Sequence, residues 1–207
     1  MKSSFILKGL YAITDEHLLP PSQLIPLVDA ALAGGTQVLQ YRNKLGNSDL
    51  RFQQALALKK LCHHYHIPLI INDDVKLAQT IGADGVHLGQ SDRSITQARH
   101  TLGNQAIIGA TCHASMELAE QAVSQGADYV AFGRFFASKT KPEAPTASFN
   151  ILANIHTLDS PSVAIGGITV ENASQLIAQG ISMVAVVHDL FAAEDVFAQA
   201  AHFKSLF

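Results

Sequence analysis

The sequence predicts an α/β protein of one domain, residues 1–207, in which eight parallel strands and their helices close into a (β/α)8 TIM barrel. Two observations carry this prediction. Short β-branched runs alternate with longer stretches of helical period along the chain, and 207 residues are enough for one large core built from eight such units. The main alternative is an open doubly wound sheet, which usually has only about five or six strands.

Eight short apolar runs are the predicted strands. They cover residues 10–14, 38–41, 69–71, 85–88, 107–110, 129–132, 163–165 and 184–187. The clearest helices between them are QLIPLVDAALAGG, LRFQQALALKKLCHHY and SMELAEQAVSQG. The phrases AQTIGADGVHLG, AVSQGADYVAFG and LIAQGISMVAVV repeat the order of a helix end, a capping glycine and an apolar strand, which supports the alternation.

Composition argues against several kinds of partner. A net charge of -3, with 15% charged residues, leaves no basic footprint, so we expect no nucleic-acid partner. No apolar run approaches the roughly 18 residues that cross a membrane, and the N-terminus lacks the features of a signal peptide. Cys62 and Cys112 lie far apart in the sequence, which is typical of reduced thiols in a cytoplasmic protein.

Charged side chains follow several predicted strands, at the barrel end where active sites are built. Arg42 and Lys44 follow the second strand, Asp73 the third and Asp92 the fourth, and Lys141 lies in the loop after the sixth. Carboxylates together with phosphate and water oxygens are the usual ligands of Mg²⁺, and Arg and Lys bind the same phosphates. The residues predict a Mg²⁺–diphosphate site, and the simpler alternative is a rim of ordinary loop residues and salt bridges.

The second strand separates its polar side chains into two sets. Alternation puts Gln40, Arg42 and Lys44 on one face of the strand, and Tyr41 and Asn43 on the other. The first face carries the cations of the predicted phosphate site.

The last loops carry a second phosphate signal. GGIT follows the seventh strand and VVHD the eighth, where barrels often bind phosphate through backbone N–H groups. Gly166 and Gly167 allow close approach of the backbone. The loop 134–145 mixes hydroxyls with lysines and suits a lid over phosphates, although an ordinary long surface loop explains it equally well.

Six motifs stand in order along the chain: LQYRNK, IINDD, GADGVHLGQSD, IIGATCH, YVAFGRFFASKTKPEAP and VAIGGIT. With them the chain resembles the thiamine-phosphate synthase family over nearly its whole length. The resemblance implies a Mg²⁺-dependent transferase that condenses 4-amino-2-methyl-5-hydroxymethylpyrimidine diphosphate with 4-methyl-5-(2-phosphoethyl)thiazole. Its implied mechanism is loss of diphosphate to give a pyrimidine carbocation, which the thiazole nitrogen then captures.

The resemblance also implies a role for each matching residue. Asp73 and Asp92 would hold Mg²⁺, and catalysis would rest on Arg42, Lys44 and Lys141. The pyrimidine diphosphate would contact Gln40, Tyr41, Arg42, Asn43, Lys44, Asn72, Thr111 and Lys141. The thiazole phosphate would contact Ser138, Lys139, Thr140, Gly167, Val187 and His188.

Three positions depart from the pattern of the family. Position 188 is His where many members have Ser, position 139 is Lys where Pro is common, and Ser138 replaces a frequent Thr. Thr111 takes the place of a family serine and keeps its hydroxyl. None of these changes removes a diphosphate or metal residue.

Other reactive side chains receive a structural interpretation. The histidines of LCHHYH end the second helix, where cationic side chains suit the helix C-terminus. Cys112 and His113 are sequence neighbours at a strand end and are not expected to face each other. His87 is expected to be a hydrogen-bonded histidine inside the barrel.

Three other functions share this fold. A thiazole tautomerase-like paralogue would lack the full diphosphate and metal set, and a regulatory barrel would bind thiazole phosphate without turnover. A phosphosugar isomerase or aldolase would need a base or a lysine inside the barrel, but the predicted third to sixth strands contain no lysine. A monomer and a homodimer both stay open.

Overall fold

The structure is a computed structural model that describes residues 5–138 and 145–207. Its strands are β1 (Gly9–Ile13), β2 (Val38–Tyr41), β3 (Leu69–Asn72), β4 (Gly85–Leu88), β5 (Ile107–His113), β6 (Tyr129–Gly133), β7 (Ser162–Ile165) and β8 (Met183–Val186). They pair in parallel in chain order, and β1 pairs with β8, so the sheet is a closed barrel. Closure confirms the predicted (β/α)8 fold and excludes the open sheet.

Helices connect the strands along the outside of the barrel. They are α1 (Leu24–Gly34), α2 (Ser48–His64), α3 (Val75–Ile81), α4 (Ile95–Leu102), α5 (Met116–Ser124), α6 (Val170–Ile177), α7 (His188–Phe191) and α8 (Val196–Lys204). Between β6 and β7 the structure has a 3₁₀ helix, Phe149–Thr157, in which Asn150, Asn154 and His156 are weak α-helix formers. No helix within the described ranges is long and apolar enough to cross a bilayer.

The strands separate two apolar layers. Val38 and Ile70 belong to a cluster inside the barrel, whereas Leu39 and Tyr41 belong to the larger cluster between the strands and the helices. Gln40 alternates with Leu39 and Tyr41 and is 3% exposed, so its amide lies inside the barrel.

The fifth strand is longer than the sequence indicates. The prediction ends at residue 110, but β5 continues to His113 with an irregular register between Thr111 and His113. Cys112 is fully buried and continues the outward-facing apolar set after Ala110. This extension places Thr111 on the barrel wall.

Candidate active site

A cavity of about 750 Å³ lies at the carboxyl ends of the strands. Most of the predicted site residues line it: Gln40, Arg42, Lys44, Asn72, Asp73, Asp92, Thr111, Ser138, Gly167, Val187 and His188. Lys139, Thr140 and Lys141 were predicted here as well, but they lie outside the described residues. The structure thus brings together predicted residues that are up to 148 positions apart, from Gln40 to His188.

Tyr41 and Asn43 are the predicted substrate contacts whose side chains the structure places elsewhere. The Tyr41 hydroxyl donates to Gln54 Oε1 at 2.7 Å, and Asn43 Nδ2 donates to the same oxygen at 3.0 Å. Gln54 lies on α2, outside the barrel. Strand alternation is the reason, because the side chains that flank Arg42 in the sequence point away from the cavity. They anchor the loop after β2 to α2.

Arg42 is held by the loop after β1. Its Nη1 lies 3.6 Å from Asp15 Oδ2 and 3.4 Å from Glu16 Oε2. Its backbone N–H donates to Thr14 Oγ1 at 2.8 Å, and Glu16 also accepts from the N–H of Lys44 at 3.2 Å. Sequence reasoning missed Asp15 and Glu16, although they follow a strand as the predicted acids do.

Asp73 and Asp92 approach each other from neighbouring strand ends. Lys44 Nζ lies 3.5 Å from Asp73 Oδ2, and the N–H of Gly89 donates to Asp92 Oδ2 at 2.7 Å. Asp73 has a positive φ of 62°, and its N–H donates to the carbonyl of His87 at 2.9 Å. Partial burial, together with the nearby Asp73 carboxylate, raises the pKa of Asp92.

Asp74 has a structural role despite standing beside Asp73. Its carboxylate accepts from the N–H of Leu77 at 2.9 Å and so caps α3. The same side chain pairs with Arg51 of α2. The two aspartates of the IINDD motif are therefore divided between the cavity and the helix.

A chain of hydrogen bonds crosses the barrel interior below these charges. Gln40 Nε2 donates to the Tyr11 hydroxyl at 2.7 Å, and the Tyr11 and Tyr129 hydroxyls are 2.7 Å apart. His87 Nδ1 lies 3.0 Å from the Tyr129 hydroxyl, and His87 Nε2 lies 2.9 Å from Thr111 Oγ1. The prediction of a hydrogen-bonded His87 inside the barrel is confirmed. Neither tyrosine was singled out, because partners on different strands meet only when the barrel closes.

The loop after β7 approaches the loop after β6 very closely. Gly166 and Gly167 have φ values of 93° and 63°, and a Cβ on Gly167 would lie 2.2 Å from the carbonyl oxygen of Ala137. Asn172 Nδ2 donates to the carbonyl of Gly167 at 3.0 Å and fixes this turn. Both the conformation and the contact require glycine at position 167.

Asp189 joins three elements beside His188. Its Oδ2 accepts from the N–H of Val170, the first residue of α6, at 3.1 Å. The same oxygen accepts from Gln199 Nε2 of α8 at 2.7 Å. Asp189 also lines the cavity, so α8 supports the site through this carboxylate.

Several known proteins are similar to this chain in sequence and in fold. The profile of the family described as thiamine monophosphate synthase matches residues 10–190. The chain belongs to this family. A thiamine-phosphate synthase of Saccharophagus degradans is 54% identical over 90% of this chain and 87% of its own length. One from Marinobacter nauticus is 52% identical over 99% of this chain and 93% of its own.

A solved member has the same architecture. The structure of a thiamine phosphate pyrophosphorylase from Pyrococcus furiosus has a TM-score of 0.88 and 31% identity, covering 97% of this chain and 96% of its own. Membership in the family, with more than half of the aligned residues identical to each of two synthases, gives the chain a transferase function: synthesis of thiamine phosphate.

The carboxylates fit the Mg²⁺ that the family resemblance implies. In residues 5–138 and 145–207, no group of three or more His, Cys, Asp and Glu side chains could hold a metal ion. Mg²⁺ does not need such a group, since it is usually bound by one or two carboxylates, water and substrate phosphates. Asp73 and Asp92 supply two carboxylates on one cavity, and a cation beside them would counteract the partial burial and the neighbouring Asp73 carboxylate, which together raise the pKa of Asp92.

Proposed function

We propose that the chain binds the pyrimidine diphosphate and the thiazole phosphate together in this cavity and joins them to thiamine phosphate. The supporting observation is the cluster of Lys44, Asp73 and Asp92, in which a cation and two carboxylates meet at one edge of the cavity. The cavity volume, about 750 Å³, is within the range of small-molecule sites. A diphosphate with its cation would lie at this edge.

The proposed metal residues are Asp73 and Asp92. Mg²⁺ bound there would supply positive charge next to the departing diphosphate. Arg42 and Lys44 add charges that the protein itself fixes in place, and the Asp15 and Glu16 contacts hold Arg42 before substrate arrives. Lys141 is assigned to the same diphosphate by the resemblance alone.

The pyrimidine ring is assigned to the inner part of the cavity. The supporting observation is that Gln40, Asn72 and Thr111 line the cavity and supply amide and hydroxyl groups instead of charges. The thiazole phosphate is assigned to the other rim, where Ser138, Gly167, Val187 and His188 line the cavity. Lys139 and Thr140 are assigned there by the resemblance alone.

The proposed reaction is dissociative. The bond between the pyrimidine methylene carbon and the diphosphate oxygen breaks, and its electrons leave with the diphosphate. The lone pair of the thiazole nitrogen then forms the new C–N bond to the carbocation. No proton leaves the attacking nitrogen, so the residues need to stabilise charge and exclude water rather than act as a base. Arg42 and Lys44 perform the first task.

The experiment is a product assay with wild type, Asp92→Asn and the matched control Asp159→Asn, each with and without Mg²⁺. Asp159 is exposed and lies outside the cavity lining, so its variant changes the same charge without touching the site. We expect Mg²⁺-dependent thiamine phosphate from wild type and from Asp159→Asn, and a rate on the order of 100-fold lower from Asp92→Asn.

Two results would contradict the proposal at different points. Full activity of Asp92→Asn would remove the metal role of Asp92 while leaving the synthase reaction in place. No product from a folded wild type would favour a tautomerase-like enzyme or a barrel that only binds thiazole phosphate.

A further inference from the structure

The buried hydrogen-bond chain has a direction. Tyr11 and Tyr129 are 1% and 0% exposed, and burial raises the pKa of both hydroxyls far above the usual range. Each therefore keeps one O–H to donate. Space for the Tyr129 ring depends on Gly109, because a Cβ at position 109 would lie 1.9 Å from the ring carbon Cζ.

The hydrogen bond from Gln40 to Tyr11 determines which group donates in the next two hydrogen bonds, Tyr11–Tyr129 and Tyr129–His87. An amide nitrogen can only donate, so Tyr11 accepts from Gln40 and its own hydrogen passes to the Tyr129 oxygen. The Tyr129 hydrogen then has His87 Nδ1 as its acceptor, 3.0 Å away. This requires a lone pair on Nδ1, which in neutral imidazole places the proton on Nε2.

The last hydrogen bond, between His87 and Thr111, determines whether Thr111 offers the ligand a hydrogen or a lone pair. His87 Nε2, carrying the proton, donates to Thr111 Oγ1 at 2.9 Å. The Thr111 hydroxyl hydrogen is then directed away from His87, and Thr111 lines the cavity. The opposite order, with the Gln40 carbonyl accepting from Tyr11, would put the proton on Nδ1 and leave Thr111 to donate to His87.

We propose that this chain of hydrogen bonds holds His87 in its neutral Nε2–H tautomer and thereby makes the Thr111 hydroxyl a hydrogen-bond donor toward the ligand. Tyr11, Tyr129 and His87 are positioning residues that act through Thr111. The ligand class selected is a ring that offers an unprotonated nitrogen or another lone pair at this point, and a ring with N–H there would meet a second donor. The identification of that ring as the aminopyrimidine rests on the proposed function.

The direct test is ¹⁵N NMR of the histidine side chains in the ligand-free protein. The chain has 10 histidines, so the signals of His87 are assigned by their loss in His87→Gln. We expect a lone-pair shift for Nδ1 and a protonated shift for Nε2. The Nδ1–H tautomer, or an imidazolium with both nitrogens protonated, would overturn the proposal, and this reading needs no variant beyond the one used for assignment.

The Tyr129→Phe variant tests the role of the hydrogen-bond chain, and Tyr65→Phe is the matched control. Tyr65 donates to Asp29 Oδ1 at 2.8 Å at the surface, so its variant removes a hydroxyl without reaching the barrel interior. We expect Tyr129→Phe to convert His87 to a mixture of tautomers and Tyr65→Phe to leave it unchanged. An unaltered Nε2–H tautomer in folded Tyr129→Phe would contradict the role of the chain.

The KM values of the two substrates distinguish a positioning role of these residues from a general disruption of the fold. We expect Thr111→Val and Tyr129→Phe each to raise the KM of the pyrimidine diphosphate by about 3- to 10-fold, with Thr111→Ser near wild type. The KM of thiazole phosphate should change by less than about twofold, because a neutral hydrogen bond at the pyrimidine does not reach the other rim. Equal changes in both constants would overturn the inference.

The two proposals fail separately. A wild-type protein that makes no thiamine phosphate but shows the Nε2–H tautomer would contradict the proposed function and support the donor–acceptor order of the hydrogen-bond chain. An active enzyme with the Nδ1–H tautomer would do the reverse.

Discussion

At the scale of single residues, the rim that is assigned to thiazole phosphate depends on the backbone conformation of its glycines. Gly167 has a φ of 63°, and a Cβ added at this position would lie only 2.2 Å from the Ala137 carbonyl oxygen. Gly82 has nearly the same φ, 66°, but no atom within 4 Å of its Cβ position. The two glycines therefore separate the cost of a left-handed conformation from the cost of a steric clash.

Gly167→Ala should be more destabilising than Gly82→Ala. We expect Gly82→Ala to cost about 1 to 2 kcal/mol of the free energy of unfolding, from conformation alone. Gly167→Ala should cost about 1 to 3 kcal/mol more, because the loops after β6 and β7 must separate, and it should raise the KM of thiazole phosphate. Urea unfolding and steady-state kinetics measure these effects, and equal costs for the two variants would contradict the close contact.

Individual site residues were predictable to different degrees. Arg42, Asp73 and Asp92 could be found because charged groups directly after strands of a parallel barrel reach a common end. Glu16 follows the same rule, but it contacts Arg42, and a position after a strand does not distinguish this contact from binding of a ligand. The side-chain direction of Tyr41 follows from alternation, yet the family pattern alone suggested a contact with substrate.

At the scale of elements, α8 is connected to the cavity through one carboxylate. Gln199 of α8 donates to Asp189, which in turn accepts from the first N–H of α6. Removing Asp189 would leave the N–H of Val170 without this acceptor and would loosen the attachment of α7, which carries His188. The last helix of the chain is therefore connected to the rim that is assigned to thiazole phosphate.

Asp189→Ala should weaken thiazole phosphate binding more than Asp189→Asn does. The same Asp189 oxygen accepts both hydrogen bonds, and an asparagine can supply one such oxygen, whereas alanine supplies none. We expect the KM of thiazole phosphate to rise by about 3- to 10-fold in the alanine variant and by less in the asparagine variant. Steady-state kinetics on both substrates measure it. Identical constants for the two variants would show that the hydrogen bonds have no role.

The positions of the elements were largely predictable, because apolar periodicity and capping glycines mark the strand–helix units. The limits appear at β5 and in the barrel interior. Thr111 follows the predicted end of the strand, whereas β5 continues to His113 and pairs there with β6. The pairing of Tyr11 with Tyr129 joins residues 118 positions apart, which no local pattern reveals.

At the scale of the whole molecule, closure of the barrel and its helices buries both cysteines. Cys62 and Cys112 are each 0% exposed, and burial raises the pKa of both thiols to about 12. Such thiols are poor nucleophiles, in agreement with the proposed mechanism, which uses no thiol.

A thiol reagent such as dithionitrobenzoate should leave the native protein unlabelled at pH 8 and label two thiols after unfolding in guanidinium. The absorbance of the released thiolate measures the count. Rapid labelling of one thiol in the folded protein would contradict the packing around that residue.

We propose that the carboxylates after β3 and β4 form a Mg²⁺-dependent diphosphate site with Lys44 and Arg42. Calorimetric titration of the wild-type protein with inorganic diphosphate, in Mg²⁺ and in EDTA, tests this claim without any chemical step. We expect binding in Mg²⁺ and a Kd higher by at least about 10-fold in EDTA. An unchanged Kd in EDTA would contradict it.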